Sequence, residues 1–116
     1  MNRLKLLITV IDRGLGNEID RAFEELGCHA NCILLGKGTA SQEILEYLGF
    51  GTTEKEVIVS IVKEELVPDL FQLLEDEFDF DRPGKGVSCS IPLSSVAGQK
   101  VYEMIIQKKG ETKWHI

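Results

Sequence analysis

The sequence predicts an α+β fold in which one antiparallel sheet carries two helices on one face. The chain of 116 residues is long enough for one domain, and a strand–helix–strand order in its first half recurs in its second half. A shift of 51 residues aligns apolar positions of the two halves: Val10 with Ile61, Ile19 with Leu70, and Phe23 with Leu74. Two successive βαβ units of this size are typical of the ferredoxin-like sandwich.

The first half opens with a strand over residues 4–11, a short apolar run rich in branched side chains. Asn17 is placed to cap the helix that follows, whose apolar residues recur at helical spacing as far as Leu26. Gly27 then ends this helix. A second apolar run, residues 30–35, predicts the next strand.

The second half repeats this order. A strand is predicted over residues 57–62, and Pro68 suits the first turn of the helix that follows it. Residues 87–93 alternate between apolar and polar or small side chains, which is typical of a half-buried strand. Cys89 lies on the apolar side of this alternation, so we expect it in the core.

A long connection, residues 36–55, joins the two halves. Ser41 is placed to cap a short helix within it. The apolar residues of that helix lie on one side: Ile44, Leu45 and Leu48. Because a monomeric sheet with exposed edges is prone to self-association, we also expect oligomerisation that covers the edges.

A C-terminal extension follows the sandwich. We expect a strand over residues 101–106, then a turn, then a returning strand anchored by Trp114 and Ile116. The chain is therefore divided into a ferredoxin-like domain, residues 1–98, which includes the loop 36–55, and a strand or hairpin extension, residues 99–116.

The charge balance argues against a nucleic-acid partner. The net charge is −6, from 13 basic and 19 acidic residues, and such a surface repels phosphodiester backbones. A small anionic ligand is still compatible, because a few backbone amides and one lysine make a local site. No apolar run approaches the roughly 20 residues that cross a bilayer. Three cysteines without an export signal indicate the cytoplasm.

Glycine pairs are the motifs that suit a ligand. Eight of the 11 glycines form four Gly-x-Gly pairs, most of which are ordinary turns at strand ends. Two pairs stand out, because each encloses a lysine and they occupy corresponding places in the two halves: Gly36-Lys37-Gly38 and Gly84-Lys85-Gly86. Without a Cβ in the way, the backbone N–H groups of such a turn can face phosphate oxygens.

Metal binding and covalent catalysis find little support in the sequence. Cys28, His29 and Cys32 resemble a metal cluster, but on a strand residues four apart are separated by about 13 Å, too far to share one ion. Gly-x-Ser-x-Gly is absent, and Ser94, Ser95, His29 and His115 show no elbow or triad spacing. We therefore predict no metal site and no catalytic centre.

The two glycine motifs extend to Gly36-Lys37-Gly38-Thr39-Ala40 and Arg82-Pro83-Gly84-Lys85-Gly86, and Ile91-Pro92-Leu93 lies downstream of the second. Together these motifs resemble those of the PII-like nitrogen-regulatory signalling family. The resemblance extends over about residues 4–98 and marks a divergent member with a shortened T-loop. It implies a homotrimer that binds ATP or ADP in clefts between subunits as a regulatory ligand. It also implies that the long connection, the T-loop, docks onto a regulated transporter or metabolic enzyme.

Carried over by position, the resemblance implies these nucleotide-binding residues: Gly36, Lys37, Gly38, Thr39, Gly84, Lys85, Gly86 and Lys100. The residues presented to a partner protein would be Ile44, Leu45, Tyr47 and Leu48. The chain departs from the family pattern at Val87, which stands where a lysine is usual, although Lys85 lies two residues earlier.

Two other interpretations fit the same architecture. One is a metal-responsive or structural trimer similar to the divalent-cation tolerance family. The other is an enzyme of the acylphosphatase type, in which Arg13 and Asn17 would serve as the phosphate-binding and catalytic groups. The loop at Arg13 lacks that family's pattern, so we favour a sensor without enzymatic activity.

Overall fold

The computed structural model describes residues 3–37 and 54–98, together with Lys100 and Glu103. Its elements follow the predicted order: β1 (Leu4–Asp12), α1 (Gly16–Glu25), β2 (Ala30–Lys37), β3 (Glu54–Lys63), a single 3-10 turn (Glu64–Leu66), α2 (Val67–Phe78) and β4 (Val87–Pro92). The four strands form one antiparallel sheet in the order β2-β3-β1-β4. This is the predicted ferredoxin-like sandwich, in which one sheet packs against α1 and α2.

The core lies between the sheet and the two helices. Leu7 and Ile11 of β1 are buried and face the helices, and the strand register places Ile58 of β3 on the same face. Ile19 and Phe23 of α1 pack into this core and are fully buried. Complete burial of one such side chain contributes about 1.5–3 kcal/mol. The helical spacing read from the sequence therefore identifies the correct buried face of α1.

Helix α1 begins differently from the prediction. Leu15 holds the N-cap position and its side chain makes no capping hydrogen bond, so the cap predicted at Asn17 is wrong. The backbone N–H of Gly16 instead donates to Glu56 Oε1 of β3, at 2.7 Å. A carboxylate at this place satisfies an unpaired helix donor and interacts favourably with the helix dipole. The cap comes from 40 residues further along the chain, beyond the reach of local sequence patterns.

Helix α2 has the predicted start and a defined end. Pro68 lies in its first turn, as expected. Asp79 follows the last turn with a left-handed backbone (φ 58), and the N–H of Phe80 donates to the carbonyl of Leu74 at 3.1 Å. This arrangement turns the chain sharply toward the loop that leads into β4.

Strand β4 presents the opposite face from the one expected. Ser88 and Ser90 lie opposite Thr9 and Leu7, on the helix side, and the hydroxyls of Ser88 and Thr9 are 2.9 Å apart. Cys89 is exposed on the other face, so its predicted place in the core is wrong. Alternation alone does not say which side of a strand meets the helices, and here the more apolar side faces away from them.

The two described residues beyond Gly98, Lys100 and Glu103, are both helical. The strand predicted over residues 101–106 is therefore wrong at Glu103, because a short apolar run does not by itself distinguish a helix from a strand. The rest of the predicted extension and the helix predicted within residues 36–55 lie outside the described residues.

No described helix has both the length and the apolar character needed to cross a membrane.

Candidate functional site

The two lysine-bearing glycine motifs lie at the same end of the sheet. Gly36 of β2 is opposite Lys55 of β3, which is opposite Asp12 of β1. Strand β4 begins at Val87, opposite Val10, so Gly86 immediately precedes the strand at this end. We call this the glycine end of the sheet, defined by Asp12, Gly36, Lys55 and Gly86.

At the glycine end the two motifs occupy opposite edges. Strands β2 and β4 are the outer strands of the sheet, three strand spacings apart. At about 4.8 Å per spacing, their backbones are separated by roughly 14 Å. The backbone amides around Lys37 and those around Lys85 are therefore too far apart to contact one phosphate group within a single chain.

A cavity of about 440 Å³ opens beside β2 at the glycine end, and its lining residues are Arg13, Leu35, Gly36, Lys37, Glu54 and Lys55. Gly36 is close to β3, since a Cβ there would lie 3.3 Å from Val57 Cγ2. Lys37 is exposed. The wall thus combines several charged side chains with the backbone of a glycine.

Two ion pairs involve charged side chains of this cavity, and they differ in how far their side chains are buried. Lys55 Nζ lies 2.7 Å from Asp12 Oδ1, and the lysine side chain is only 5% exposed. Arg13 Nη1 lies 3.0 Å from Glu54 Oε2, and both of these side chains are more than half exposed. The buried pair fixes the end of the sheet, whereas the exposed pair is weakened by solvent screening. The pairing of Arg13 with a carboxylate does not favour the acylphosphatase interpretation, which needs that guanidinium for a phosphate.

The second motif forms a loop held by an aromatic ring. Gly84 (φ 93) and Gly86 (φ 154) both have positive φ values, which side chains rarely tolerate. A Cβ on Gly86 would lie 2.5 Å from Cζ of Phe80, so the ring packs directly against the glycine backbone. Lys85, between them, is exposed. The loop is therefore shaped by backbone conformation and packing, with its lysine turned toward solvent.

The other predicted site residues are only partly described. Lys100 is exposed and helical. Outside the described residues lie Gly38, Thr39, Ile44, Leu45, Tyr47 and Leu48.

The sheet face that is turned away from the helices is apolar throughout its middle. Three transverse rows cross it: Ala30–Ile61–Leu6–Ile91, Cys32–Val59–Ile8–Cys89 and Leu34–Val57–Val10–Val87. We call these three rows the open face. The large apolar residues at its edges are exposed, with Leu34 at 50%, Val87 at 49% and Ile91 at 42%. Apolar surfaces of this extent mark interaction sites.

The open face was not predicted from the sequence, although a signal for it is present. In residues 4–11 and 57–62 apolar side chains occupy both faces of the strand instead of alternating with polar ones. A strand of this kind is covered on both sides. In the described part of the chain, α1 and α2 cover one side of these strands.

A polar cluster on the helix side involves the only buried cysteine. The thiol of Cys28 donates to Asn31 Oδ1 at 3.3 Å, and the hydroxyl of Ser60 donates to the same oxygen at 2.6 Å. Burial raises the pKa of Cys28 to about 11. Cys28 is buried in the core and Cys32 is on the open face, so the two thiols point to different environments. In residues 3–37 and 54–98, no three His, Cys, Asp or Glu side chains are grouped to hold a metal ion.

Comparison with known proteins gives the fold a name. No family model and no curated protein matches the chain. Among solved structures it is similar to TTHA0516, a PII-like signalling protein of Thermus thermophilus, with 21% identity, a TM-score of 0.62, and coverage of 84% of this chain and 94% of that one. These observations define a ferredoxin-like α+β fold.

Two further structures carry nucleotides. CPII from Thiomonas intermedia K12, a nitrogen regulatory PII-like protein bound to ADP, AMP and bicarbonate, is 20% identical, with a TM-score of 0.59 and coverage of 78% of this chain and 90% of CPII. The GlnK–ATP complex of B. subtilis is 12% identical, with a TM-score of 0.57 and coverage of 79% and 83%. The chain thus has the fold of PII-like signalling proteins, and the resemblance carried by its glycine motifs is confirmed at the level of the fold.

Proposed function

We propose that the chain is a PII-like signal-transduction protein that works as a homotrimer in the cytoplasm. It binds a small anionic ligand, with ATP or ADP as the first candidates, in clefts between subunits. It regulates a transporter or metabolic enzyme through the loop between β2 and β3, and it performs no catalysis itself. The observation that carries the proposal is the open face, because Leu34, Val87 and Ile91 are exposed on it in the described part of the chain, and apolar surfaces of this kind mark interaction sites.

The open face favours further copies of the same chain as that partner. Its two edges, β2 and β4, differ from one another, so a ring forms when the β2 edge of each copy meets the β4 edge of the next. Three copies then enclose their open faces around one axis. Leu34 and Ile91 are about half exposed, so complete burial of each would contribute about half of the 1.5–3 kcal/mol of a fully exposed side chain.

The same ring supports a shared ligand site. In one chain Lys37 and Lys85 lie at the same end of the sheet but on opposite edges. Head-to-tail contact brings the β2 edge of one copy beside the β4 edge of its neighbour. The two glycine motifs, Gly36–Gly38 and Gly84–Gly86, then converge on one pocket, where their amides and lysines would meet the phosphates of a nucleotide. Nucleotides bound to CPII and GlnK agree with this ligand class.

The loop between the strands links the pocket to a partner. It leaves the sheet at Lys37 and returns at Glu54, and both residues line the cavity at the glycine end. A ligand that contacts Lys37 therefore acts on the base of the loop. It shifts the loop between two arrangements if it binds one of them more tightly. In this proposal Ile44, Leu45, Tyr47 and Leu48 contact the regulated protein.

Two measurements test the proposal. Light scattering coupled to gel filtration should give the mass of three chains, and calorimetry with ATP, ADP and AMP should detect binding by at least one of them. Lys85→Ala should weaken that binding by about 1–3 kcal/mol, roughly 5- to 150-fold, because it removes a charge-assisted contact. Lys63→Ala is the matched control, since Lys63 lies at the other end of the sheet, opposite Leu4.

Three outcomes would change the proposal. A single-chain mass would overturn the trimer and the shared pocket together. A trimer that gives no heat with any of the three nucleotides would retain the assembly and remove the adenine nucleotide from the proposal. Equal weakening by Lys85→Ala and Lys63→Ala would mean that only long-range charge, and no local contact, is lost.

A further inference from the structure

The two exposed cysteines occupy related positions on the open face. Cys32 of β2 is opposite Val59 of β3, Val59 is opposite Ile8 of β1, and Ile8 is opposite Cys89 of β4. The cysteines are therefore the two ends of one transverse row, one at each edge of the sheet. In the single chain both are exposed, and neither is in a disulfide.

Within one chain the two thiols are too far apart to react. They are separated by three strand spacings, roughly 14 Å. A disulfide needs Cα atoms about 4.4–6.8 Å apart. Any bond between Cys32 and Cys89 must therefore join two copies of the chain.

The strand directions make such a bond feasible in the proposed trimer, on which this inference rests. Strand β2 runs antiparallel to β4 within the sheet, because each of the three successive pairings is antiparallel. A three-fold axis along the strands preserves these directions, so β2 of one copy and β4 of the next also run antiparallel where they meet. We call this contact between the β2 edge of one copy and the β4 edge of the next the seam. In such a pair, opposite residues have Cα atoms about 4.5–5.5 Å apart.

All three rows of the open face can continue from one copy into the next across this seam. When rows of neighbouring copies continue at the same height, Leu34 meets Val87, Cys32 meets Cys89, and Ala30 meets Ile91. The rows then close into three apolar rings. We propose that Cys32 of one protomer and Cys89 of its neighbour form a thiol pair at each seam, and that peroxide oxidises this pair to an intersubunit disulfide.

The chemistry balances with hydrogen peroxide as oxidant. One cysteine thiolate attacks a peroxide oxygen, which breaks the O–O bond and gives a sulfenic acid and, after protonation, one water. The second thiolate attacks the sulfenic sulfur, which forms the S–S bond and releases the hydroxyl as a second water. The two thiols together lose two electrons and two protons, and the peroxide takes up both.

The third cysteine serves as an internal control. Cys28 is buried on the helix side, and its raised pKa keeps it as the unreactive thiol near neutral pH. Cys28→Ser should therefore leave cross-linking unchanged. By contrast, Cys32→Ser and Cys89→Ser should each abolish it, although the two residues lie on different strands.

The experiment is a non-reducing denaturing gel after treatment of the full chain with excess hydrogen peroxide and blocking of the remaining thiols. The wild-type chain should give bands of two and three chains, which dithiothreitol returns to one. Three-chain bands need both cysteines of a chain, because either Cys32–Cys32 bonds alone or Cys89–Cys89 bonds alone stop at two chains; the Cys32→Ser and Cys89→Ser variants then separate unlike from like bonds, since a like bond survives in one of them. A mixture of the Cys32→Ser and Cys89→Ser chains, refolded together, should recover the two-chain band.

The mass of the untreated protein separates this inference from the proposed function. A three-chain mass with no cross-linked band, or with bands that survive in the Cys32→Ser or the Cys89→Ser variant, would overturn the Cys32–Cys89 pair and leave the trimer standing. A single-chain mass would overturn both.

Discussion

Glu56 on β3 accepts a hydrogen bond from the backbone N–H of Gly16, so a strand of the sheet caps the first helix. Gly16 is suited to this contact, since a Cβ there would lie 2.6 Å from Glu56 Oε1. Helix α1 and the central strands are thus joined by a polar contact as well as by apolar packing.

Glu56→Ala should therefore lower the free energy of unfolding by about 0.5–2 kcal/mol, the usual cost of a lost cap. Urea denaturation measures the change. Glu77→Ala, an exposed position on α2, is the control and should stay within about 0.5 kcal/mol of the wild type. Gly16→Ala should also destabilise the protein, and its effect should shrink in a Glu56→Ala background, where the methyl group has no carboxylate to displace.

The ion pair of Lys55 and Asp12 should matter more to stability than that of Arg13 and Glu54. Asp12→Ala removes the carboxylate 2.7 Å from a buried ammonium and should cost about 1–3 kcal/mol, because the charge stays desolvated. Arg13→Ala removes one half of an exposed pair and should cost less than about 1 kcal/mol. Equal losses in urea denaturation would mean that burial of Lys55 does not decide the difference.

Stability should fall at alkaline pH because of Cys28. Burial raises the pKa of its thiol from 9.0 to about 11 in the folded protein. Between these values the unfolded chain loses the thiol proton and the folded chain keeps it, so stability is complete below about pH 9 and declines as the pH rises toward 11. The loss should be on the order of 2 kcal/mol. Denaturation curves from pH 8 to 11 measure it.

Other groups titrate in the same range, so the comparison is with Cys28→Ala. That variant should show a flatter decline over this interval, whatever its stability at neutral pH. If the two pH profiles run parallel, the thiol of Cys28 ionises equally in the folded and unfolded states.

A charge on the open face should prevent assembly without unfolding the chain. Leu34 is 50% exposed in the single chain, so Leu34→Asp costs little there, but the trimer would bury the carboxylate. We expect a single-chain mass with an unchanged far-ultraviolet circular dichroism spectrum. Leu26→Asp, 39% exposed at the end of α1, should leave the trimer mass unchanged. A trimeric Leu34→Asp protein would mean that the open face is not the assembly surface.

The order of elements and the buried side of α1 follow from the sequence because they depend on local periodicity. Ile19 and Phe23 recur at helical spacing, and both are fully buried. The orientation of β4 does not follow, because Val87, Cys89 and Ile91 lie on the face turned away from α1 and α2 and stay exposed in the described part of the chain. Periodicity shows which residues share a face, but it does not show what covers that face.

The sequence likewise predicts only part of the candidate site. The motif at Lys37 ends β2 and the motif at Lys85 precedes β4, and because these two strands run antiparallel, the register brings both motifs to one end of the sheet. Their separation onto opposite edges depends on strand order, which no local pattern encodes. The cap from Glu56 and the packing of Phe80 on Gly86 are likewise long-range or loop-specific contacts.

The two faces of the sheet differ in polarity. The hydroxyls of Thr9, Ser60 and Ser88 lie on the face toward α1 and α2, while the apolar rows of the open face lie on the other side. In the proposed trimer, much of the apolar burial is therefore completed only when chains meet, so unfolding and dissociation become one equilibrium. The melting temperature should then rise with protein concentration, and dilution alone should weaken the fold.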